Sequence, residues 1–298
     1  MTRDIFIGVD GGATKTLARA EDAQGVLLGE GRGGPANIRL SVATSWQSVR
    51  QAVDQAMAAT GLHPDHPGHR FYCAMGLAGT ELTAARQAFL AVPHPFSRLV
   101  LKSDGHTACL GAHTGADGAV IAIGTGVVAW QIHHNREHQI GGWGFPHDDL
   151  GGGAWLGMQA VGLTLQWQDG RRKPSPLLTA VFDRFGRDPA RLVAWACEAD
   201  ATRFAQLAPL VVQQAEAGTE LARKLMQRAA GEIDRIDRAL VRRAEGRILP
   251  CCLQGGLAPF LKPWLGEALR ARLVPCRQDA VHGALLLIRR MVQTRDSL

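Results

Sequence analysis

The first 33 positions contain three short segments rich in apolar residues, separated by turns at Gly11-Gly12 and Gln24-Gly25. This pattern predicts three consecutive β-strands. The predicted strands are residues 5–10, 15–21 and 26–33. From Ser41 to Thr60 the apolar side chains recur at helical spacing, with Ser41 as the N-cap and Gly61 as the stop. We therefore expect a β-meander followed by an amphipathic helix that packs on the sheet.

Much of this order of elements recurs along the rest of the chain. The later predicted elements are strands at 71–77, 99–102, 119–123, 127–133 and 248–253, and helices at 83–90, from Asp104, within 155–244 and at 280–295. Because the strand pattern restarts after residue 115, we expect a duplicated βββαβα core. The expected parts are an N-terminal domain at 1–114, a C-terminal domain with helical insertions at 115–284, and a closing segment at 285–298 that packs back on the first domain.

A glycine turn lies between the first two strands of each predicted half: Asp10-Gly11-Gly12 and Gly124-Thr125-Gly126. Backbone N–H groups bind phosphate closely where no side chain blocks the approach, and nearby threonine hydroxyls add donors. Asp10 would repel a phosphate unless a cation lay between them, so it is predicted to be a Mg²⁺ partner or, alternatively, a cap for the turn. Together the two turns indicate a nucleotide-using enzyme.

Two other nucleotide motifs are absent. The first turn lacks the Gly-x-x-x-x-Gly-Lys-Ser/Thr spacing of a P-loop and continues into a strand rather than a helix. The Gly-x-Gly-x-x-Gly motif of a dinucleotide site, opening a helix, is also missing. A single Asp-Gly-Gly is common in hairpins, so the prediction rests on the pair of turns.

Composition is that of a globular protein: 298 residues, 46% hydrophobic and 20% charged. This length suffices for two domains with a cleft between them. The net charge of +6 suits an anionic ligand, but the basic residues are scattered without interleaved aromatics, so no nucleic-acid partner is expected. Apolar stretches are too short for a signal peptide or a membrane span, which predicts a cytoplasmic protein without a membrane partner.

The order of two phosphate turns and a late Gly255-Gly256 resembles the actin, Hsp70 and hexokinase superfamily. The resemblance narrows at residues 141–157, where Gly-Gly-Trp-Gly followed by Ala-Trp-Leu-Gly is similar to the sugar-binding loop of the N-acetylglucosamine and glucosamine kinases, relatives of the BadF/BadG/BcrA/BcrD-type ATPases. It implies an α/β fold of two actin-like, ribonuclease H-like ATPase domains with a central interdomain cleft. It also implies ATP- and Mg²⁺-dependent phosphorylation of an amino sugar at O6, in a possible homodimer.

The same resemblance implies roles for the matching residues. The implied ATP site comprises Gly11, Gly12, Ala13, Thr14, Lys15, Thr16, Gly124, Thr125, Gly126, Gly255, Gly256 and Leu257, with Mg²⁺ at Asp10. The implied sugar site comprises Asn37, Gly79, Thr80, Asp104, Gly142, Trp143, Gly144 and Asp149, with Asp104 as the general base. Without the resemblance, Asp104 is more simply a helix N-cap and Asn37 a turn residue.

The substrate stays open between two amino sugars. N-acetylglucosamine is expected and glucosamine is the alternative, because Leu150 stands where the family commonly has a glutamate in Gly-Asp-Glu-Gly-Ser. Two further alternatives are an activator-type ATPase and an actin-like nucleotide-dependent interaction protein. The activators hold an iron–sulfur cluster with cysteines. The sequence around Cys109 and around the Cys251-Cys252 pair is not the one expected for such ligands.

Histidines form two groups in the sequence. The groups are His63, His66 and His69, and His133, His134 and His138. Their spacing supplies neither a tetrahedral geometry nor supporting hydrogen bonds, so they are expected to be polar loop residues and zinc is not predicted.

Overall fold

The computed structural model describes residues 3–58, 60–63, 68–134 and 136–293. Three parts of the predictions lie outside these residues. They are His66, residue 59 of the helix predicted for 41–60, and residues 294–295 of the last predicted helix. The chain divides into two compact units. The first comprises Met1–Gly118, Gln131–Glu137 and Pro275–Leu298, and the second comprises Ala119–Trp130 and His138–Val274.

Nine strands and twelve helices are found within the described residues. The strands are β1 Arg3–Gly11, β2 Thr16–Asp22, β3 Leu27–Gly33, β4 His69–Leu77, β5 Arg98–Ser103, β6 Gly118–Ile123, β7 Val127–His133, β8 Arg136–Gly141 and β9 Cys251–Gln254. The helices are α1 Val42–Ala58, α2 Thr83–Leu90, α3 Asp104–Ala112, α4 Gly153–Gln168, α5 Pro176–Arg184, α6 Pro189–Glu198, α7 Ala201–Ala205, α8 Ala208–Glu216, α9 Glu220–Arg243, α10 Ala258–Leu261, α11 Glu267–Ala271 and α12 Ala280–Gln293. The predicted meander and the order of strands and helices up to α3 are confirmed.

The first unit is built on a five-stranded sheet of order β3-β2-β1-β4-β5. Strands β1, β4 and β5 are parallel, and the pairs β1–β2 and β2–β3 are antiparallel. Helix α1 packs against β3 with almost no side-chain layer between them, because a Cβ at Gly29 or Gly31 would collide with carbonyl oxygens of α1. Ser41 caps α1 as predicted, since its Oγ accepts a hydrogen bond from the Thr44 backbone nitrogen at 3.1 Å.

Helix α12 packs directly on α3 in the same unit. A Cβ at Gly283 would collide with the Thr107 carbonyl oxygen, and one at Gly111 with the carbonyl oxygen of Asp279. On its other side α3 meets β4, where a Cβ at Gly76 would collide with the Thr107 side chain. The position of α3 is therefore fixed by backbone contacts that tolerate no larger residue.

The second unit contains most of a four-stranded sheet of order β8-β7-β6-β9, in which β6 and β9 are parallel. The prediction of a strand from Ile248 is wrong at its start, since β9 begins at Cys251. Pro250 has no N–H to donate to a ladder, although its carbonyl accepts from the Ala119 nitrogen at 2.9 Å, and the Ile248 side chain is 74% exposed. No described helix is both long and apolar enough to cross a bilayer.

Candidate active site

The segments that follow strands β1, β4 and β5 begin side by side at one edge of the first unit's sheet. Gly11 is in register with Leu77, and Leu77 is in register with Ser103, at the carboxyl ends of β1, β4 and β5. Neighbouring strands are about 4.8 Å apart, so the segments that follow these three residues are adjacent. Ligands of α/β sheets bind at such carboxyl ends. The predicted first-unit residues all lie on or beside these segments.

The turn after β1 has one open face and one packed face. Gly12 donates to the Lys15 carbonyl at 3.1 Å, and a Cβ added to Gly12 would meet no atom within 4 Å. A Cβ on Gly11 would instead lie 2.6 Å from the Leu77 side chain. Gly12 thus gives a ligand access to the backbone, whereas Gly11 is required by packing. The three residues after Gly12 are exposed: Ala13, Thr14 and Lys15.

Thr16 stands apart from the other predicted phosphate-binding residues. Its side chain is buried, and its hydroxyl donates to the Gly34 carbonyl at 2.7 Å. That hydroxyl proton therefore ties β2 to the loop after β3. The neighbouring Thr14 hydroxyl, which is exposed, is the better placed of the two to meet a ligand.

Asn37 and Gly79 come together although 42 positions separate them in the sequence. Asn37 forms a bridge with Ala78, and the Ile38 nitrogen donates to the Ala78 carbonyl at 3.0 Å. Gly79 has φ +86°, and a Cβ there would lie 2.6 Å from Asn37 Oδ1. Only glycine fits this left-handed position beside the amide. Thr80, the third predicted residue of this group, is buried.

Asp104 is the first residue of α3, and it is not the N-cap of that helix. Ser103 has that role, because its Oγ accepts a hydrogen bond from the His106 nitrogen at 3.0 Å. The Asp104 carboxylate accepts from its neighbour Gly105 at 2.8 Å. Burial raises the pKa of Asp104, the Gly105 hydrogen bond opposes this, and the negative charge of Glu81 raises it further. A half-buried carboxylate with a raised pKa is suited to accept a proton.

A second half-buried carboxylate, Asp10, has its pKa raised to about 6. Burial is the largest cause, the charges of Asp104 and Asp279 add to it, and Lys15 opposes them. Asp279 was missed by sequence reasoning. It accepts hydrogen bonds from Arg19 at 3.0 and 3.2 Å and from the His282 nitrogen at 2.8 Å at the start of α12, so its only sequence signal was that of a helix cap. Carboxylates whose mutual repulsion raises a pKa favour a divalent cation among them.

The second glycine turn, in the second unit, is hydrogen-bonded to the start of α4. The Gly124 carbonyl accepts from the Gly153 nitrogen at 2.8 Å, and the Thr125 carbonyl accepts from the Ala154 nitrogen at 2.9 Å. A Cβ added to Gly124 would meet no atom within 4 Å. Because the carbonyls are satisfied by the helix, the turn keeps an open face at Gly124 for a ligand.

Asp149 lies against this turn. Its Oδ1 accepts a hydrogen bond from the Val127 nitrogen at 3.1 Å, and a Cβ at Gly126 would lie 2.5 and 2.6 Å from the two carboxylate oxygens. Burial raises the pKa of Asp149, and the Val127 hydrogen bond opposes that rise. The glycine at position 126 therefore makes room for this carboxylate.

The loop before Asp149 presents an aromatic ring to solvent. Gly142 and Gly144 have φ +77° and +99°, and the side chain of Trp143 between them is 81% exposed. The loop closes on itself, since the Trp143 nitrogen donates to Asp148 Oδ2 at 3.0 Å and the Asp148 nitrogen donates to the Gly144 carbonyl at 2.9 Å. An indole held out by a fixed backbone is available to stack on a ligand.

A cavity of about 490 Å³ in the second unit adjoins the second turn. Its lining combines predicted residues with residues of α7, α8 and α10 that no motif indicated: Gly124, Thr125, Gly153, Ala205, Ala208, Pro209, Val212, Gln213, Glu216, Gly256, Leu257 and Phe260. Leu257 is fixed by the hydrogen bond from its nitrogen to the Ile123 carbonyl at 3.1 Å. Mostly apolar walls with a few polar groups, at this volume, are typical of small-molecule sites.

The sequence model of the BadF/BadG/BcrA/BcrD ATPase family matches residues 7–280. The chain belongs to this family. Glucosamine kinase GspK of Vibrio cholerae is 35% identical to this chain over 284 residues, which cover 95% of each chain. The N-acetyl-D-glucosamine kinase of Dictyostelium discoideum is 24% identical over 253 residues, which cover 78% of each chain.

Solved structures agree with this membership of the BadF/BadG/BcrA/BcrD ATPase family. A candidate N-acetylglucosamine kinase from Chromobacterium violaceum superposes with a TM-score of 0.84 at 37% identity, covering 96% of this chain and 99% of that one. A ROK hexokinase from Thermus thermophilus superposes with a TM-score of 0.56 at 16% identity, covering 98% and 99%, which shows a common fold. The predicted actin-like α/β fold class is confirmed.

Proposed function

We propose that the protein is an ATP- and Mg²⁺-dependent kinase that phosphorylates an amino sugar at O6. The observation that carries the proposal is the state of Asp104: Ser103 caps α3, so the Asp104 carboxylate, with its raised pKa, is available to a substrate. The relatives named glucosamine kinase and N-acetyl-D-glucosamine kinase support the substrate class.

In this proposal the two open turns bind the phosphates of ATP. The residues assigned to them are Gly11, Gly12, Ala13, Thr14, Lys15, Thr16, Gly124, Thr125 and Gly126, with Thr16 acting through its position in the turn. The adenosine occupies the 490 Å³ cavity beside Gly255, Gly256 and Leu257. The apolar walls select the purine by shape, while Gln213 and Glu216 offer its polar edges hydrogen-bond partners.

Asp10 is proposed to hold Mg²⁺, directly or through water. The residues fit a cation, because Asp10 is half-buried beside two further carboxylates that raise its pKa to about 6. When bound, Mg²⁺ neutralises charge on the transferring phosphate. Lys15, whose charge lowers the Asp10 pKa, supplies a further positive charge at the same turn.

The sugar is proposed to bind Asn37, Gly79, Thr80, Asp104, Gly142, Trp143, Gly144 and Asp149. Asn37 Oδ1 accepts from the Arg39 nitrogen at 3.1 Å, which orients the amide so that its N–H groups can donate to a sugar hydroxyl. Asp104 orients the 6-hydroxyl and accepts its proton as the phosphoryl group is transferred. Trp143 stacks on an apolar face of the ring.

An activator-type ATPase is disfavoured by the cysteines. Cys109, Cys251 and Cys252 are each 0% exposed, so none of them can ligate a cluster at the surface of the chain. The exposed thiols are Cys197 and Cys276, which no cluster motif contains.

An ADP-release assay over glucosamine, N-acetylglucosamine, glucose and N-acetylmannosamine tests the proposal and decides between the two amino sugars. We expect the highest kcat/KM on one of the first two, no turnover in excess EDTA, and at least about a 100-fold loss of kcat in Asp104→Asn, with a Tm no lower than that of the wild type because the buried charge is removed. ATP hydrolysis that ignores every sugar, or ATP-dependent sedimentation without turnover, would contradict the proposal. Wild-type kcat in Asp104→Asn would show that the base is another residue.

A further inference from the structure

Three side chains with metal-ligand atoms meet in the first unit, and none of them takes part in the proposed reaction. Asp117 precedes β6, His133 is the last residue of β7, and His134 follows it. Each offers one ligand atom, and the three atoms lie within 4.8 Å of one another. Within residues 3–58, 60–63, 68–134 and 136–293 this is the one such group of His, Cys, Asp and Glu side chains.

His133 supplies the second, independent sign of a ligand. Its side chain is 7% exposed, and its Nε2 has no hydrogen-bond partner among the described residues. A buried imidazole nitrogen without a partner is costly, and such groups usually have one in native proteins. A cation bound at the cluster would be the partner that the protein itself does not provide.

Asp117 is already oriented beside the two histidines. Its Oδ2 accepts a hydrogen bond from the His134 nitrogen at 2.9 Å, and the His133 and His134 rings have centroids 4.2 Å apart. Ligand atoms around one Zn²⁺ ion are about 3–3.5 Å apart, given bond lengths of about 2.0–2.2 Å. The cluster therefore needs only small side-chain rotations to close on an ion.

We propose that Asp117, His133 and His134 bind one divalent transition-metal ion of the Zn²⁺ class. Two imidazole nitrogens and one carboxylate favour Zn²⁺ and similar ions over Mg²⁺ and Ca²⁺, which prefer oxygen ligands. Water fills the remaining position. The ion links the segment before β6 to the end of β7. This site uses different residues from the Mg²⁺ site proposed at Asp10, and it does not depend on the proposed kinase function.

Zn²⁺ titration of the full-length, tag-free, metal-stripped protein in excess Mg²⁺ tests the site. Cys197→Ser and Cys276→Ser are included in every sample, because exposed thiols also bind zinc. The variants are His134→Asn, which suits the left-handed backbone at φ 49°, and Asp117→Asn, which can keep the hydrogen bond to His134 but loses the charge. The matched control is His138→Ala, since sequence spacing grouped His138 with the same histidines and the structure leaves it out of the cluster.

We expect one Zn²⁺ per chain by calorimetry, at least about tenfold weaker binding in both cluster variants, and unchanged binding in His138→Ala. Co²⁺ gives a second readout, because a visible absorption band of tetrahedral Co²⁺ should form in the wild type and be lost in His134→Asn. Circular dichroism checks that the variants are folded. Wild-type binding no tighter than that of His134→Asn, or an equal loss in His138→Ala, overturns the proposal.

Discussion

The Val127 backbone nitrogen donates a 3.1 Å hydrogen bond to the Asp149 carboxylate, so the second glycine turn and the end of the Trp143 loop share one acidic side chain. The carboxylate occupies the space where a side chain at Gly126 would lie. Because the Gly126 backbone is not in the left-handed region, a substitution there tests this contact without added backbone strain.

Gly126→Ala should lower the free energy of unfolding by about 1–3 kcal/mol, because the new methyl group collides with Asp149. In an Asp149→Ala background the same substitution should cost much less, since the colliding atoms are gone. Gly162→Ala is the control: its Cβ would meet no atom within 4 Å on helix α4, so it should be neutral or stabilising. Denaturant unfolding of the four variants measures the coupling, and equal costs in both backgrounds would contradict the contact.

Glu81→Gln should shift the acidic limb of the kcat/KM profile to lower pH. The Glu81 charge helps to raise the pKa of Asp104, so removing it lowers that pKa and keeps the proposed base ionised at more acidic pH. Because Glu81 is exposed, the shift should shrink at high salt. Asp54→Asn, which removes an exposed charge that does not act on Asp104, is the control. If the acidic limb stays at the same pH or moves to higher pH, Asp104 is not the titrating group.

Asp10→Asn should stabilise the ligand-free protein at pH 8 and inactivate it. The Asp10 pKa rises from 3.8 to about 6 on folding, so the folded state binds this proton more tightly than the unfolded state and wild-type stability falls as pH rises through this window. The rise corresponds to about 3 kcal/mol as an upper value. The Tm of Asp10→Asn should be higher than that of the wild type above pH 6, and the two Tm values should be equal below about pH 4.

The effect of Mg²⁺ provides the control for Asp10. Added Mg²⁺ should raise the wild-type Tm at pH 8 and leave that of Asp10→Asn almost unchanged, because the cation binds the native state through this carboxylate. An equal rise in both proteins would place the cation elsewhere.

Val212→Trp should raise the KM for ATP at least about tenfold and leave the KM for the sugar nearly unchanged. Val212 lines the 490 Å³ cavity, and an indole in its place fills part of the space proposed for the adenosine. Val193→Trp is the matched control, since Val193 is exposed and is not part of the cavity lining. Steady-state kinetics with each substrate varied in turn separate the two KM values, and a change confined to the sugar would reverse the assignment of the cavity.

Local patterns made the strands and helices predictable. Helix α2 has the predicted bounds of Thr83–Leu90, because its apolar spacing and its flanking residues are all within the segment itself. The start of β9 failed for an equally local reason: the apolar run from Ile248 outweighed the missing N–H of Pro250. Apolar periodicity indicates which residues prefer burial, but it does not indicate which backbone groups form hydrogen bonds.

The tertiary parts of the site were only partly predictable. Asn37 and Asp104 were predicted for the candidate site through resemblance to a family, whereas Asp279, Gln213 and Phe260 belong to no motif and are placed there by the packing of helices. The expectation that the histidines are loop residues is wrong for His69, His133 and His138, which lie in strands β4, β7 and β8. The proximity of Asp117 to His133 and His134 had no signal in the spacing of the histidines. Spacing along a chain cannot give distances across a sheet.

Because α12 packs closely on α3, the support for α3 comes from residues that are synthesised long after it. Asp104 and the rest of α3 leave the ribosome well before Gly283, yet the wall against which Gly111 and Thr107 rest consists of residues 279–283. A nascent chain that ends before α12 contains the residues of the first sheet and of the first glycine turn, but it lacks the helix against which α3 packs. The candidate active site is therefore completed late, and a chain interrupted shortly before residue 280 should contain both glycine turns without the contact that positions Asp104.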